Sequence, residues 1–250
     1  MVVLLLSGIS SQVIFLAVLA GCALTLLTAY LAIRIAERAG LIDVPGSSDR
    51  KRHLRPTPLA GGIAIALSLI PLTLIFRTVW DRQIAVMLLG AAVILIFGLW
   101  DDKVDLHPRT KLLGQLLACS LILGAGMEVR ILKPGFLGLD QPELLVWVNR
   151  FITVFWLVGV TNAFNLADSM DGLVAGLSGW AFTFFILAAL DAGQNSLAVQ
   201  AAILAGICVS VYFYNSPQAR LFLGDSGALM LGFILAVMAI IYTPFNRPQS

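Results

Sequence analysis

Charge is what this sequence has least of. Asp, Glu, Lys and Arg make up 12% of its 250 residues, about half of the roughly 25% usual in soluble domains. None occurs before Arg34. Apolar residues supply 59%, and the mean hydropathy is +0.94. That balance excludes a water-soluble globular domain, and a net charge of +2 is too small to argue for nucleic acid. Cysteine is scarce as well. Cys22, Cys119 and Cys208 lie far apart in apolar runs, which excludes a disulfide framework and reads as packing within a membrane. The two histidines, His53 and His107, cannot build a zinc site without carboxylate help. The tetrapeptide LAGC at 19–22 looks like a lipoprotein attachment box. Nothing basic precedes it and the apolar run continues to Ile33, so a first transmembrane helix is expected there in place of a signal peptide.

What is present is a succession of charge-poor stretches, each long enough to cross a hydrocarbon layer of about 30 Å. Eight spans are expected, at roughly 12–33, 60–76, 84–100, 112–126, 145–164, 173–190, 197–214 and 227–243. The fold class is therefore all-α, a polytopic membrane protein with residues 1–250 as one embedded domain. No internal repeat is visible. Between spans 4 and 5, MEVRILKPGFLGLDQPELL carries Pro-Gly and Gly-Leu-Asp turn signals, and a short external hairpin on the membrane surface is expected there.

Charge then sorts the loops. Those after spans 1, 3, 5 and 7 hold ten of the sixteen Lys and Arg residues and nine of the fourteen acids. The first loop alone holds six basic residues, from Arg34 to Arg55. The positive-inside rule puts these odd loops in the cytoplasm. Four polar clusters fall in them: 50–62 (RKRHLRPTPLAGG), 101–111 (DDKVDLHPRTK), 162–172 (NAFNLADSMDG) and 220–227 (RLFLGDSG). One site assembled from four loops is the simplest account of that sorting.

The acids Asp101, Asp102 and Asp225 sit beside span ends. A carboxylate near a span is tolerable when it reaches water or holds a cation. Magnesium suits such a set, because it takes one or two carboxylates and leaves its other positions to water and phosphates. Any one of these acids is as well explained as a helix cap, Asp225 before span 8 above all. The set on one face is less easily explained that way. Arg50, Lys51, Arg52, His53 and Arg55 could bind phosphates or simply set topology. Gly61-Gly62 could admit close backbone approach or tight helix packing. In the third cluster Asn162, Asn165 and Asp168 would share about 120° of a helix. With Asp171 they are expected to bind ligand more than to bond helix to helix.

The motifs RKRHLRPTPLAGG, DDKVDL, NAFNLADSMDGL and FLGDSG, in this order and at these span ends, resemble the polyprenyl-phosphate N-acetylhexosamine-1-phosphate transferases, over nearly the whole chain. The branch moving GlcNAc-1-phosphate from UDP-GlcNAc onto undecaprenyl phosphate, which starts O-antigen and related cell-wall glycans, looks most similar. The muramoyl-pentapeptide branch of peptidoglycan synthesis looks more distant. The resemblance implies a transferase of the bacterial inner membrane with a cytoplasmic site. Its substrates would be a UDP-N-acetylhexosamine and a polyprenyl phosphate, with Mg2+ as cofactor or Mn2+ in its place. Homodimers fit the same picture.

Residue by residue, the resemblance makes Asp225 the metal ligand and Asp101 and Asp102 the paired catalytic aspartates. One account gives the first of that pair the lipid phosphate's proton. A phosphate is already largely ionised near neutral pH, so positioning and charge balance are expected to matter more. Asn165, Asp168 and Asp171 match the nucleoside and diphosphate pocket, Phe222 an aromatic stacking on uracil, and Lys51 and His53 the basic loop. The chain departs from the pattern at Ser169, where Gly is usual. It also departs in stopping at Ser250, short of about three further spans and a histidine-rich loop. A truncated form with little activity of its own is thus expected. Its rivals are a catalytically silent subunit completed by a partner and the pentapeptide transferase. A transporter would place its acids at mid-membrane in repeated halves, which this chain does not do.

Overall fold

A computed structural model describes residues 10–45, 55–132 and 142–242. Lys51, His53 and residues 133–141 of the expected hairpin between spans 4 and 5 lie outside those residues. The described chain forms eight α-helices: α1 (Ser11–Ala39), α2 (Gly61–Ile75), α3 (Arg82–Val104), α4 (Pro108–Gly124), α5 (Pro142–Ala167), α6 (Leu173–Asp191), α7 (Asn195–Asn215) and α8 (Gly224–Ile241). Each falls on one of the eight expected spans. Six are long and apolar enough to cross a membrane. The other two, α2 with 15 residues and α4 with 17, reach about 22 and 26 Å at 1.5 Å per residue, short of the roughly 30 Å core. The count of full-length spans is therefore six where eight were expected.

Several helices outrun their apolar stretch, because a helix ends at a stop signal and continues through a few polar residues until it meets one. α1 runs on to Ala39, where Gly40 turns left-handed (φ 72°) and its N–H reaches the Ala36 and Glu37 carbonyls. With the bond from Leu41 N–H back to Ala36, this is a Schellman-type end. α3 continues through Asp101 and Asp102, and α5 through Asn165. The second and third polar motifs thus begin on last helical turns, at one end of the apolar bundle.

The bundle is built around α7 and α8. In each, 78% of the apolar window is buried, against 22–33% in α1, α3, α5 and α6. α7 packs on α1 and α6, and α8 on α3, α5 and α2. Small residues set these approaches, as expected where lipid removes any hydrophobic drive between helices. α1 buries a stripe of Ala17, Gly21, Thr25, Ala29, Ala32 and Ala36. A Cβ on Gly206 of α7 would strike the Val18 carbonyl oxygen, and one on Gly61 would lie 2.6 Å from Leu223 Cα. The outer surfaces carry bulky apolar side chains such as Leu27, Phe151, Phe155, Trp180 and Phe184, the pattern of a lipid-facing wall.

One feature of the fold had no sequence signal. Ile42–Asp43 (β1) pairs antiparallel with Thr57–Pro58 (β2), in the register Ile42↔Pro58 and Asp43↔Thr57. Leu59 then forms a parallel bridge to Phe222. Two-residue strands are too short to show an alternating pattern. Their effect is to fasten the first loop to the segment that leads into α8.

Candidate active site

The site forms where the last turn of α3 meets the first turn of α8. Asp102 of α3 accepts hydrogen bonds from the backbone N–H groups of Asp225 (2.8 Å to Oδ1) and Ser226 (3.2 Å to Oδ2). A carboxylate at a helix N-terminus satisfies otherwise unpaired donors and complements the positive end of the helix dipole. Asp225, by contrast, makes no such cap: it lies inside the first turn of α8, where the capping position is Leu223 and lacks a side-chain cap bond. Two glycines make room. A Cβ on Gly98, one turn back on α3, would run into Ser226 Cα. Gly224 is left-handed (φ 70°), and a Cβ there would sit 2.8 Å from Asp102 Oδ2.

Asp101 faces the other way. Its Oδ1 accepts from Leu106 N–H at 2.7 Å. Its Oδ2 is 2.6 Å from Lys111 Nζ in a side chain only 2% exposed. Lys111, from the first turn of α4, also reaches Asp225 Oδ2 at 3.0 Å. The one ammonium thus bridges Asp101 and Asp225, and Asn165 neighbours Asp225. Just past α5, half-buried Asp168 completes the group. Burial, and after it the negative charges of Asp225, Asp102 and Asp171, pushes its carboxyl up to about 8. Asp171 is exposed and acts on the group through its charge.

The structure therefore draws together Asp101, Asp102, Asn165, Asp168 and Asp225, from three of the four polar clusters. The fourth joins through the backbone: Phe222 N–H donates to Pro58 O (2.9 Å), and Phe222 O accepts from Ala60 (3.2 Å) and Gly61 (3.0 Å). The Phe222 side chain is half-buried beside these contacts. Gly61 and Gly62 take the packing role, since a Cβ on Gly62 would lie 2.6 Å from Ser226 Oγ. Asn162 is a correction. Its amide exchanges hydrogen bonds with Gln115 of α4 (2.8 and 3.1 Å), so it bonds helix to helix. One turn deeper than Asn165, it meets α4 before it can meet the site. Ser169 is also settled: it is not among the non-glycine residues with positive φ, and the left-handed position in that turn is Gly172 (φ 78°).

Two members were missed by sequence reasoning. Lys111 lay in a recognised cluster with no role given, and only its return across the α3–α4 turn reveals one. Asn215, the last residue of α7, accepts from Gly172 N–H (3.0 Å) and donates to Leu221 O (3.1 Å). It ties the Asp168–Gly172 turn to the segment before α8. A single Asn closing an apolar run gave no signal.

Among the described residues no ready-made cage of three or more His, Cys, Asp or Glu side chains exists. The donors at hand are still all oxygen: the carboxylates of Asp101, Asp168 and Asp225 and the Asn165 amide, a set suited to a hard divalent cation. Asp101 Oδ2 is buried without a well-aligned hydrogen bond, its contact with Lys111 being an ion pair. A lone pair is thus left over within the cluster, and the residues fit such a cation in chemistry.

Fold and site together define a polytopic helical membrane protein with a carboxylate cluster where its loops meet at one end of the bundle. Residues 84–243 match glycosyl transferase family 4, and the chain belongs to that family. It is 32% identical over 208 residues to a probable undecaprenyl-phosphate N-acetylglucosaminyl 1-phosphate transferase of Bacillus subtilis, covering 83% of this chain and 57% of that protein. It is 31% identical to a decaprenyl-phosphate N-acetylglucosaminephosphotransferase of Mycobacterium tuberculosis, over 81% of this chain and 54% of that one. A phospho-N-acetylmuramoyl-pentapeptide-transferase of Moorella thermoacetica is 34% identical, over 74% and 61%. The chain thus spans a little over half the length of the relatives it matches.

Proposed function

We propose that this chain carries the phosphoryl-transfer centre of an enzyme that moves a sugar-1-phosphate, GlcNAc-1-phosphate in the first instance, from a UDP-sugar to undecaprenyl phosphate. An oxygen of the lipid phosphate attacks the β-phosphorus of the nucleotide sugar. The bond from that phosphorus to the bridging oxygen breaks, and UMP leaves. The observation that carries the reading is the convergence of Asp101, Asn165, Asp168 and Asp225 at one end of a membrane bundle. A lipid phosphate and a water-soluble nucleotide can meet there. The positive-inside rule makes that end cytoplasmic.

Asp225 and Asp101, with Asp168 and Asn165, would hold Mg2+. Bound there, Mg2+ supplies charge neutralisation on the diphosphate and on the leaving phosphate. Asp102 holds α8 in place, and through it Asp225. Without a bound cation the Asp168 carboxyl keeps its proton near pH 7, and it would have to release that proton to join the cation's ligands. Phe222 and Asp171 flank the cluster on the nucleotide side of this reading. The similarity to a pentapeptide transferase supports a second reading, with UDP-MurNAc-pentapeptide as donor.

The test is a membrane assay with undecaprenyl phosphate, Mg2+ and either radiolabelled UDP-GlcNAc or UDP-MurNAc-pentapeptide. Lipid-linked product from the first donor, lost in Asp225→Asn, is the expected result. Product from the second donor alone transfers the assignment to the pentapeptide reaction. No product from either, in membranes where the chain is folded, leaves the silent-subunit reading in its place.

A further inference from the structure

Lys111 occupies the ground a divalent cation would need. Its ammonium lies 2.6 Å from Asp101 Oδ2 and 3.0 Å from Asp225 Oδ2. The two carboxyls share this ammonium, so in their ionised forms they would repel without a cation between them. Asp101 is the more demanding partner. Its side chain is 2% exposed, and its other oxygen is already bonded to Leu106 N–H. Lys111 itself is 27% exposed and sits on the first turn of α4 on a flexible four-carbon stem. It can withdraw toward solvent without moving backbone. An ammonium seated between these two oxygens and a hard cation placed between them would compete for the same space and the same negative charge.

We propose that Lys111 is a resident counter-cation of the Asp101–Asp225 pair, keeping the site assembled in the absence of metal and being displaced when a divalent cation binds. Lys111 therefore acts through the carboxylates as a positioning residue, and it sets cation affinity by competition. The inference rests on the reading that the site takes a divalent cation. It does not depend on which sugar is transferred, or on whether transfer occurs at all.

The experiment uses the full chain in detergent or nanodiscs, with Mn2+ as a spectroscopic probe and no substrate. Mn2+ affinity is read by electron paramagnetic resonance, and thermal stability is read with and without Mn2+. Lys111→Met removes the competitor, so Mn2+ should bind about fivefold tighter, the equivalent of about 1 kcal/mol for losing a part-exposed ion pair. Without Mn2+ the variant should melt below wild type, and Mn2+ should raise its melting temperature by more. Lys111→Arg keeps the charge and should retain wild-type behaviour in both measurements. If Lys111→Met cannot be purified, Lys111→Gln is judged on the same criteria. Equal or weaker Mn2+ binding in the charge-removed variant, with wild type binding normally, overturns the role given to Lys111. No Mn2+ binding to either protein overturns the cation site itself. Neither outcome bears on a turnover assay.

Discussion

Asp102→Asn separates a residue that holds the site from one that performs its chemistry. The wild-type carboxylate gives one oxygen to Asp225 N–H at 2.8 Å and the other to Ser226 N–H at 3.2 Å. An asparagine keeps one acceptor and turns an NH2 donor toward the second N–H. One charge-assisted bond is lost and a buried donor faces another. Hydrogen bonds to charged groups contribute about 1.5–3 kcal/mol, and loss of a helix cap costs about 0.5–2 kcal/mol. Relief of burying the carboxylate's charge offsets part of this, so a net loss of about 2 kcal/mol is expected. The same change frees the first turn of α8, which carries Asp225. Mn2+ affinity should fall by about tenfold, the equivalent of 1.4 kcal/mol. The assay is thermal unfolding in detergent beside an Mn2+ titration, both without substrate. A pure proton acceptor would show the opposite pattern: turnover lost, with melting temperature and Mn2+ affinity unchanged. That result would refute the assignment of Asp102 as a holder of α8.

Four further outcomes follow from the same geometry. Gly224→Ala places a Cβ 2.8 Å from Asp102 Oδ2 at a left-handed φ of 70°. It should destabilise by about 1–3 kcal/mol, and in a double-mutant cycle with Asp102→Asn the losses should not add. Asn215→Ala removes both bonds tying the Asp168–Gly172 turn to Leu221; unfolding should show a loss of about 1–3 kcal/mol, and Mn2+ binding should weaken. Asn162→Ala and Gln115→Ala should each lower the melting temperature and couple by about 0.6 kcal/mol, leaving Mn2+ affinity alone. For Asp168, raised from 3.8 to about 8, the folded protein holds a proton that the unfolded chain releases near pH 4. Its stabilising contribution is complete below about pH 4 and is lost as pH rises to about 8. Cation binding must expel this proton, so Mn2+ titrations should tighten from pH 6 to 8, and Asp168→Asn should flatten that slope.

The helices were readable because apolar length is a strong signal in a chain so poor in charge. Their ends were less so, since Gly40 and Asp105 end α1 and α3, and Gly172 precedes α6, through backbone angle (φ 72°, 52° and 78°) and not through polarity. The assembly of the site was also readable, because charge asymmetry sorts loops by side and the clusters had to share one end. What sequence could not supply was the division of labour inside it. Asn162 and Asn165 differ by one helical turn, and only packing shows the first bonded to Gln115 and the second beside Asp225. Asp101 and Asp102 are neighbours on a helix, so they point about 100° apart. One then reaches Lys111 and the other the start of α8.

That 100° divergence explains why two adjacent aspartates are useful where one would not serve. Asp225 stands on α8, one of the two most enclosed helices of the bundle, which cannot shift without disturbing the core. Its position still has to be fixed relative to α3, a peripheral helix. Asp102 does this through the backbone of Asp225 and Ser226. Asp101 is left facing the Asp225 side chain across Lys111. Exchanging the two functions is not open to the chain, because Gly98 lets α3 approach α8 closely only on the Ser226 side. The remaining partners, Lys111, Asn165 and Asp168, come from helix ends and a turn with fewer constraints. A carboxylate fixed by the core and ringed by less constrained side chains can keep its own position while its neighbours change partner, which is what exchanging an ammonium for a metal ion demands.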